Sequence, residues 1–124
     1  QHVLEPLFGY LLLVEKAEKK KLRSSAYNFG PHKNQNLSVK KFLIKVKSLN
    51  PNINYRFEKV NYYESSFLSL DSSLIKKVIN YKQTWDIDKS IRKTLNWYIN
   101  FINKKKVLDL CTQDIVSFEK DFIK

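Results

Sequence analysis

The chain has 124 residues, enough for one domain with a single core, and its 43% hydrophobic content excludes intrinsic disorder. The only cysteine, Cys111, excludes an internal disulfide, and His2 and His32 show no metal-ligand spacing of a recognised kind. The net charge of +11 comes mostly from scattered lysines, which are typical of solvated helix faces and do not favour nucleic acid as a partner, since bidentate phosphate and base contacts prefer arginine.

The first predicted element is a helix over residues 4–21. Apolar residues crowd its early turns: Leu4, Leu7, Phe8, Leu11, Leu12 and Val14. Lysines crowd its last turns, where cations complement the helix dipole. We expect the start of this helix to be buried and its end to be solvated. No apolar run approaches the roughly 20 residues of a membrane span, so we expect no membrane partner.

A short strand is predicted over residues 26–29, closed by Gly30 and Pro31, which interrupt regular structure for different backbone reasons. Ser38 then provides an N-cap for a second helix. The apolar positions of that helix follow helical spacing: Val39, Phe42, Leu43, Val46 and Leu49. Asn50 and Pro51 are expected to end it.

A further strand is predicted over residues 54–60, which alternate apolar with polar residues in the manner of a half-buried strand, and a second short extended piece is predicted over residues 67–70. Asp71 can cap a brief helix, and a longer helix begins near Asp86. The predicted buried stripe of that longer helix is Ile87, Ile91, Leu95, Tyr98, Ile99 and Ile102. Thr112 is expected to cap a last helix with inward residues Ile115, Phe118 and Phe122.

Several motifs occur in the same order as in a known family. They are residues 1–7 (QHVLEPL), 9–13 (GYLLL) and 27–31 (YNFGP), then Glu64 with Leu68 and Leu70-Asp71, and Trp85 with Ile91, Thr94 and Trp97-Tyr98. This set resembles the C-terminal region of CDP-glucose 4,6-dehydratases, which are NAD-dependent epimerases/dehydratases of the extended short-chain dehydrogenase/reductase superfamily. The resemblance extends from residue 1 to about residue 118.

The beginning of the chain fits this resemblance. The sequence contains no methionine, and an apolar helical run starts almost at once. We therefore expect a C-terminal piece of a larger enzyme, with residues 1–31 as a crossing segment, helix and edge strand of a nucleotide-binding domain and residues 32–124 as the substrate-binding region. The expected fold class is α+β, the helix-rich substrate-binding portion of an α/β Rossmann-type enzyme with a few short strands.

The resemblance also implies a chemistry. Such enzymes convert CDP-glucose to its 4-keto-6-deoxy product with loss of water, using NAD. The single cysteine and the lack of a secretory leader in the sequence make the cytoplasm the expected compartment. Dinucleotide binding needs a Gly-rich turn before a helix, and this chain has only Gly9 and Gly30. We therefore expect NAD to be bound by the missing N-terminal half of the parent enzyme and the chain alone to be inactive. No catalytic residue is assigned to it.

The implied role of this part is to bind the nucleotide sugar. Glu64 matches a family carboxylate before the Leu-x-Leu-Asp stretch and is suited to accept hydrogen bonds from ribose hydroxyls. Where the family has His-Pro-His, this chain has residues 61–63, so Asn61 and Tyr63 are the other substrate-binding candidates. Tyr55 and Lys59 have the spacing of the family's proton-handling pair but lie far from its position.

Two alternatives remain open at this point. The parent may belong to another nucleotide-sugar epimerase or dehydratase, or the chain is a free-standing basic interaction module without catalysis. The expected partners are the nucleotide sugar and the parent's own nucleotide-binding domain. If those neighbours are missing, the apolar faces of residues 4–14 and 26–29 should be exposed or covered by self-association.

Overall fold

A computed structural model describes residues 1–19, 22, 26–31, 37–58 and 69–123. These residues form five helices: α1 (Leu4–Lys19), α2 (Val39–Leu49), α3 (Ser73–Ile79), α4 (Ile87–Ile102) and α5 (Val107–Phe122). No strand occurs in the described ranges, so the predicted α+β fold is wrong for them and the observed architecture is all-helical.

The predicted strands are absent for a physical reason. Residues 26–29, 54–58 and 69–70 are not helical, but a strand exists only when a neighbouring strand pairs with its backbone. At the end of the first segment, side chains instead of a neighbouring strand donate to the backbone carbonyls. Gln1 Nε2 donates to the Phe29 carbonyl at 3.2 Å, and Ser72 Oγ donates to the Gly30 carbonyl at 3.3 Å. The remainder of the other two predicted extended segments, residues 59–60 and 67–68, lies outside the described residues.

The predicted helix starts are largely confirmed because capping is local chemistry. Ser38 Oγ accepts from the Lys41 amide at 3.3 Å, and Asp86 Oδ1 accepts from the Lys89 amide at 2.7 Å. The cap predicted at Asp71 is wrong by one residue: the N-cap of α3 is Ser72, and Asp71, just before it, accepts at Oδ1 from the Ser73 amide at 2.9 Å.

The predicted start of the last helix is wrong. α5 begins at Val107 and Thr112 lies in its second turn. Lys104 adopts a left-handed conformation with a φ of 61°, which reverses the chain within residues 103–106. α4 and α5 therefore form a helical hairpin with a short connection.

The inner face of α1 packs on the segment that follows it and on α3. The buried cluster here is Phe29, Ile75 and Tyr81, with Leu12, Leu13, Tyr27 and Ile79 packed against it. Gly9 is buried at this contact, and a Cβ built on it would overlap the Phe29 ring. The absence of a side chain at Gly9 thus sets how closely α1 approaches this segment.

A second cluster of aromatic rings joins α1 to the α4–α5 hairpin. Trp85 is fully buried and meets Phe118 edge-to-face at 5.1 Å between ring centroids. Phe8 of α1 meets Phe118 at 5.7 Å and Phe122 at 4.5 Å. Edge-to-face pairs of this kind contribute about 0.5–1.5 kcal/mol beyond their buried area.

The predicted stripes are buried only in part. Ile91 and Phe118 are buried, as expected, but Tyr98 is 57% exposed and Ile102 is 74% exposed. The predictions of burial at these two positions and at Ile99, Ile115 and Phe122 are therefore wrong. The second half of α4 has no described element lying over its apolar side.

The burial of α1 is likewise one-sided. Glu5 and Gly9 are buried, in line with the expected burial of its start, whereas Leu7 and Leu11 are exposed. The expectation of an exposed apolar face is confirmed for this helix but is wrong for residues 26–29, since Phe29 is buried in the cluster with Ile75 and Tyr81. Among the described helices, none combines the length and the apolar character needed to cross a membrane.

Candidate functional site

The three residues predicted to bind substrate, Asn61, Tyr63 and Glu64, all lie outside the described residues. Lys59, the second member of the Tyr55 and Lys59 pair, also lies outside them. The structure therefore leaves these predictions untested. The groups with site-like geometry in the described part are found at the start of α1, where it meets α4 and α5.

Glu5 is a fully buried carboxylate in the first turn of α1. Its oxygens accept hydrogen bonds from the Trp85 amide at 2.6 Å, the Thr84 amide at 3.1 Å and the Tyr81 hydroxyl at 2.9 Å. A buried carboxylate is tolerated when its oxygens are satisfied by donors in this way. Glu5 thus ties α1 to the turn that precedes α4.

The contact with Glu5 affects the protonation of Tyr81. Burial raises the pKa of Tyr81, and the negative charge of Glu5 and the hydrogen bond to it raise that pKa further. Tyr81 therefore stays protonated and acts as a hydrogen-bond donor. With three donors already directed at it, the Glu5 carboxylate serves to position the chain.

His2 lies next to the hydrogen bonds that Glu5 accepts. It is buried, its ring meets Trp85 edge-to-face at 4.9 Å, and its Nδ1 accepts from the Leu4 amide at 3.3 Å. Burial lowers the pKa of His2; the Asp114 carboxylate opposes this, while Lys93 adds to it. The ring is therefore neutral near pH 7 and, because Nδ1 accepts, carries its hydrogen on Nε2.

Two ion pairs between α4 and α5 lie beside the Trp85 ring. Lys93 pairs with Asp114 at 3.2 Å, and Lys89 pairs with Asp121 at 2.7 Å. The same Asp121 carboxylate accepts from Trp85 Nε1 at 2.8 Å. Both lysines also lie over the indole ring, at 5.1 and 5.8 Å from its centroid. These contacts hold α5 against α4 and fix the wall beside His2.

A cavity of about 550 Å³ opens between the start of α1 and the α4–α5 hairpin. Its lining is mostly apolar and comprises Gln1, His2, Val3, Leu4, Leu7, Thr94, Trp97, Tyr98, Cys111, Asp114 and Ile115. Small-molecule sites commonly measure about 300–1,000 Å³ and combine apolar walls with a few polar groups. The cavity therefore has the size and lining of a binding groove.

The chemistry available in the cavity is that of binding. His2 can offer Nε2–H as a donor and Asp114 can offer a carboxylate oxygen as an acceptor, both from an apolar wall. Within the described ranges, no three His, Cys, Asp or Glu side chains lie together as metal ligands would. Cys111 is exposed, and no hydrogen bond joins it to a base in the described part of the chain.

Sequence reasoning found only part of this region. The sequence motifs include His2, Glu5 and Trp85, but the role of Asp114 was missed because the predicted inward residues of the last helix were Ile115, Phe118 and Phe122. One signal was present: Asp114 and Asp121 recur at helical spacing around Phe118, on the side of α5 that faces α4. Carboxylates on an inward stripe predict buried partners, and here those partners are Lys93 and Lys89.

Comparison with known proteins gives a partial match. No family model matches the chain, and no solved structure matches it. The chain is 24% identical over 120 residues to a CDP-glucose 4,6-dehydratase of Salmonella typhimurium, covering 94% of this chain and 33% of that protein. The chain is similar to a CDP-glucose 4,6-dehydratase. It spans about a third of the length of that relative.

Proposed function

We propose that this chain is the C-terminal, nucleotide-sugar-binding part of an NAD-dependent sugar-nucleotide dehydratase that acts on CDP-glucose. The similarity to the Salmonella enzyme, which extends over 94% of the chain, is the observation that carries the proposal. The residues of the QHVLEPL motif support it. They form the buried contacts of His2 and Glu5 that fix the entry of the chain into α1.

NAD does not fit the described residues. Gly9 lies in the middle of α1 against Phe29, and Gly30 lies against Leu70. Neither forms a Gly-rich turn ahead of a helix N-terminus, which is the arrangement that holds a pyrophosphate. The proposal therefore assigns NAD to the remaining two thirds of the parent enzyme and assigns no step of the reaction to this chain.

The proposed contribution of the chain is substrate binding through residues 61–64. Glu64 would accept hydrogen bonds from the ribose hydroxyls, with Asn61 and Tyr63 beside it. A carboxylate that binds hydroxyl groups contributes through charge-assisted hydrogen bonds, each about 1.5–3 kcal/mol. Loss of Glu64 should then raise the KM for the nucleotide sugar by roughly tenfold to a hundredfold.

The experiment is a chimaera. The part of the Salmonella enzyme that aligns with this chain is replaced by residues 1–124, and dehydration of CDP-glucose is measured alongside UDP-glucose and other nucleotide sugars. We expect NAD-dependent activity with CDP-glucose. A chimaera that unfolds cooperatively and retains NAD, yet neither binds nor converts CDP-glucose, contradicts the proposal. Selective activity with another nucleotide sugar favours the related epimerase or dehydratase function.

Two matched variants of the chimaera locate the contact. Glu64→Gln should raise the KM for CDP-glucose, whereas Glu58→Gln, which removes an exposed carboxylate paired with Arg56, should leave it unchanged. Equal effects of the two substitutions would count against a specific role for Glu64. Tight, steeply salt-dependent binding of the 124-residue chain to RNA or DNA, with no response to CDP-sugars, favours the interaction-module alternative.

A further inference from the structure

The turn between α4 and α5 is flanked by uncovered apolar side chains. Two of them end α4 and two begin α5, and Ile102 and Leu108 are the most exposed, at 74% and 76%. We use the name hairpin tip for these four residues and the lysines between them: Phe101, Ile102, Lys104, Lys105, Lys106, Val107 and Leu108. Exposed residues run without interruption from 101 to 109. The hairpin tip therefore contributes to no core in the described part of the chain.

The backbone of the hairpin tip is held by hydrogen bonds to the end of α4. The Lys104 amide donates to the Phe101 carbonyl at 2.9 Å, and the Lys105 amide donates to the Asn100 carbonyl at 3.1 Å. Carbonyls that would otherwise be left without donors at the end of α4 are satisfied in this way. The three lysine side chains, in contrast, form no ion pair with any carboxylate of the described residues. An ordered turn thus carries three positive charges that no neighbouring carboxylate offsets.

The surroundings of the hairpin tip are basic and aromatic. Residues 97–108 include these three lysines and no acidic residue. Trp97, one turn before Phe101, stacks on its ring at 5.3 Å between centroids, and Tyr98 is exposed beside it. Tryptophan and tyrosine are enriched at the level of lipid headgroups, where lysine ammonium groups also remain solvated. The composition of the tip matches that of a segment in contact with an anionic membrane surface.

The lysines argue against two other occupants. The core of a protein interface is depleted of lysine, so a protein covering Ile102 and Leu108 would have to desolvate the charges between them. Nucleic acids are bound through phosphate contacts and base stacking, and the aliphatic side chains of the tip do not stack on bases. An anionic lipid surface suits both components, because its headgroups attract the lysines and its acyl chains accept the apolar side chains.

We propose that the hairpin tip binds the surface of membranes that contain anionic phospholipids. Ile102 and Leu108 enter the headgroup region, and the three lysines contact the lipid phosphates. None of the described helices is long and apolar enough to span a membrane, and contact with a membrane surface requires no such helix. The expected absence of a membrane partner rested only on the lack of a spanning segment. Membrane contact of this kind is independent of the proposed nucleotide-sugar binding.

The test is co-sedimentation of the 124-residue chain with two kinds of vesicle, phosphatidylcholine alone and phosphatidylcholine mixed equally with phosphatidylglycerol. We expect binding to the anionic vesicles only, weakened by added salt. Replacement of the three lysines of the hairpin tip by glutamine should weaken this binding roughly a hundredfold. The control replaces three exposed lysines of α2, Lys40, Lys41 and Lys47, and lowers the net charge by the same amount. Its binding should be weakened much less.

A second pair of variants tests the insertion of apolar side chains. Ile102→Asp should weaken binding to the anionic vesicles by roughly tenfold or more. Leu11→Asp makes the same change in charge at a similarly exposed position on α1, 69% exposed, and should leave binding largely unchanged. Trp97 gives a direct signal, because Trp85, the other tryptophan, is fully buried. Lipids brominated in their acyl chains should quench the Trp97 fluorescence of the bound chain.

Each outcome decides the proposal, with helical circular dichroism showing that the variants are folded. Salt-sensitive binding that requires the lysines of the tip and Ile102 supports it. It is overturned by a lack of vesicle binding, by equal binding to neutral vesicles, or by equal losses in the tip variants and their controls. Binding of RNA through the same lysines, without vesicle binding, also overturns it and assigns the hairpin tip to nucleic acid instead.

Discussion

The two sides of α1 differ both in composition and in surroundings. The inner side contains Glu5, Gly9 and Leu12 and is fixed by hydrogen bonds and by the buried cluster around Phe29. The outer side contains Leu7, Leu11 and Val14 and touches little within the described residues. The helix is the same, so its own propensity cannot explain the difference.

What distinguishes the inner side is polar and steric specificity. The Glu5 carboxylate accepts only suitably placed donors, and Gly9 permits contact only with a ring that approaches closely. The leucines of the outer side accept many apolar neighbours, because the hydrophobic effect is not directional. The inner side therefore specifies how α1 packs, whereas the outer side specifies no particular neighbour.

The largest effect is expected when Glu5 is changed. Glu5→Leu leaves the Tyr81 hydroxyl and the amides of Thr84 and Trp85 without their acceptor, and each buried unsatisfied donor costs about 1–3 kcal/mol. We expect the free energy of unfolding to fall by about 3–5 kcal/mol in urea denaturation. Glu18→Leu, which changes an exposed carboxylate on the same helix, is the control. Equal stability of the two variants would show that the hydrogen bonds of Glu5 do not stabilise the fold.

The next effect is expected at Gly9. Gly9→Ala normally stabilises a helix by about 1 kcal/mol, but here the new methyl group overlaps the Phe29 ring. Overpacking of a core costs about 1–3 kcal/mol, so we expect a net loss of about 2 kcal/mol in thermal or urea unfolding. Gly9→Ala should lower the free energy of unfolding by less in a Phe29→Leu background than it does in the wild-type chain. A stabilised Gly9→Ala variant would mean that α1 does not approach residue 29 closely.

The parts of the fold that follow from local chemistry could be predicted from sequence. Ser38 and Asp86 begin helices because their side chains accept hydrogen bonds from the backbone amides three residues later. The turn at Lys104 could not be predicted in this way, because a lysine with positive φ carries no local signal. The start of α5 was misplaced for that reason.

Non-local features were the least predictable. The expected strand at residues 26–29 needed a paired neighbour that the described residues do not supply, and side chains of Gln1 and Ser72 satisfy its carbonyls instead. Helical periodicity at Tyr98 indicated an apolar side but not what covers it. In the candidate site, His2 and Glu5 could be identified from the motif, whereas Asp114 depended on the packing of α5 against α4.

The pH dependence of stability provides a finer test of the inner side. Burial lowers the pKa of His2 below its ordinary value of 6.5, so the unfolded chain binds a proton there more readily than the folded chain. The stability due to neutral His2 is full above pH 6.5 and is lost as the pH falls from 6.5 through the folded-state pKa.

The measurement is urea unfolding between about pH 5 and pH 7. His2→Asn keeps an acceptor near the Leu4 amide but does not titrate, so its stability should fall less than that of the wild-type chain over this interval. Parallel pH profiles for the two proteins would indicate that His2 is as accessible to protons in the folded chain as in the unfolded one.

The smallest effect is expected at Leu11, and it is the most direct comparison of the two sides. Leu11 and Leu12 are adjacent on α1, but Leu12 packs against the cluster of Phe29, Ile75 and Tyr81 whereas Leu11 faces outward. Leu12→Ala should cost about 2 kcal/mol of unfolding free energy. Leu11→Ala should change it by no more than about 0.5 kcal/mol. If the two variants lose equal stability, the outer side is already buried by this chain. If only Leu12→Ala is destabilised, the inner leucines contribute to folding and the outer ones do not.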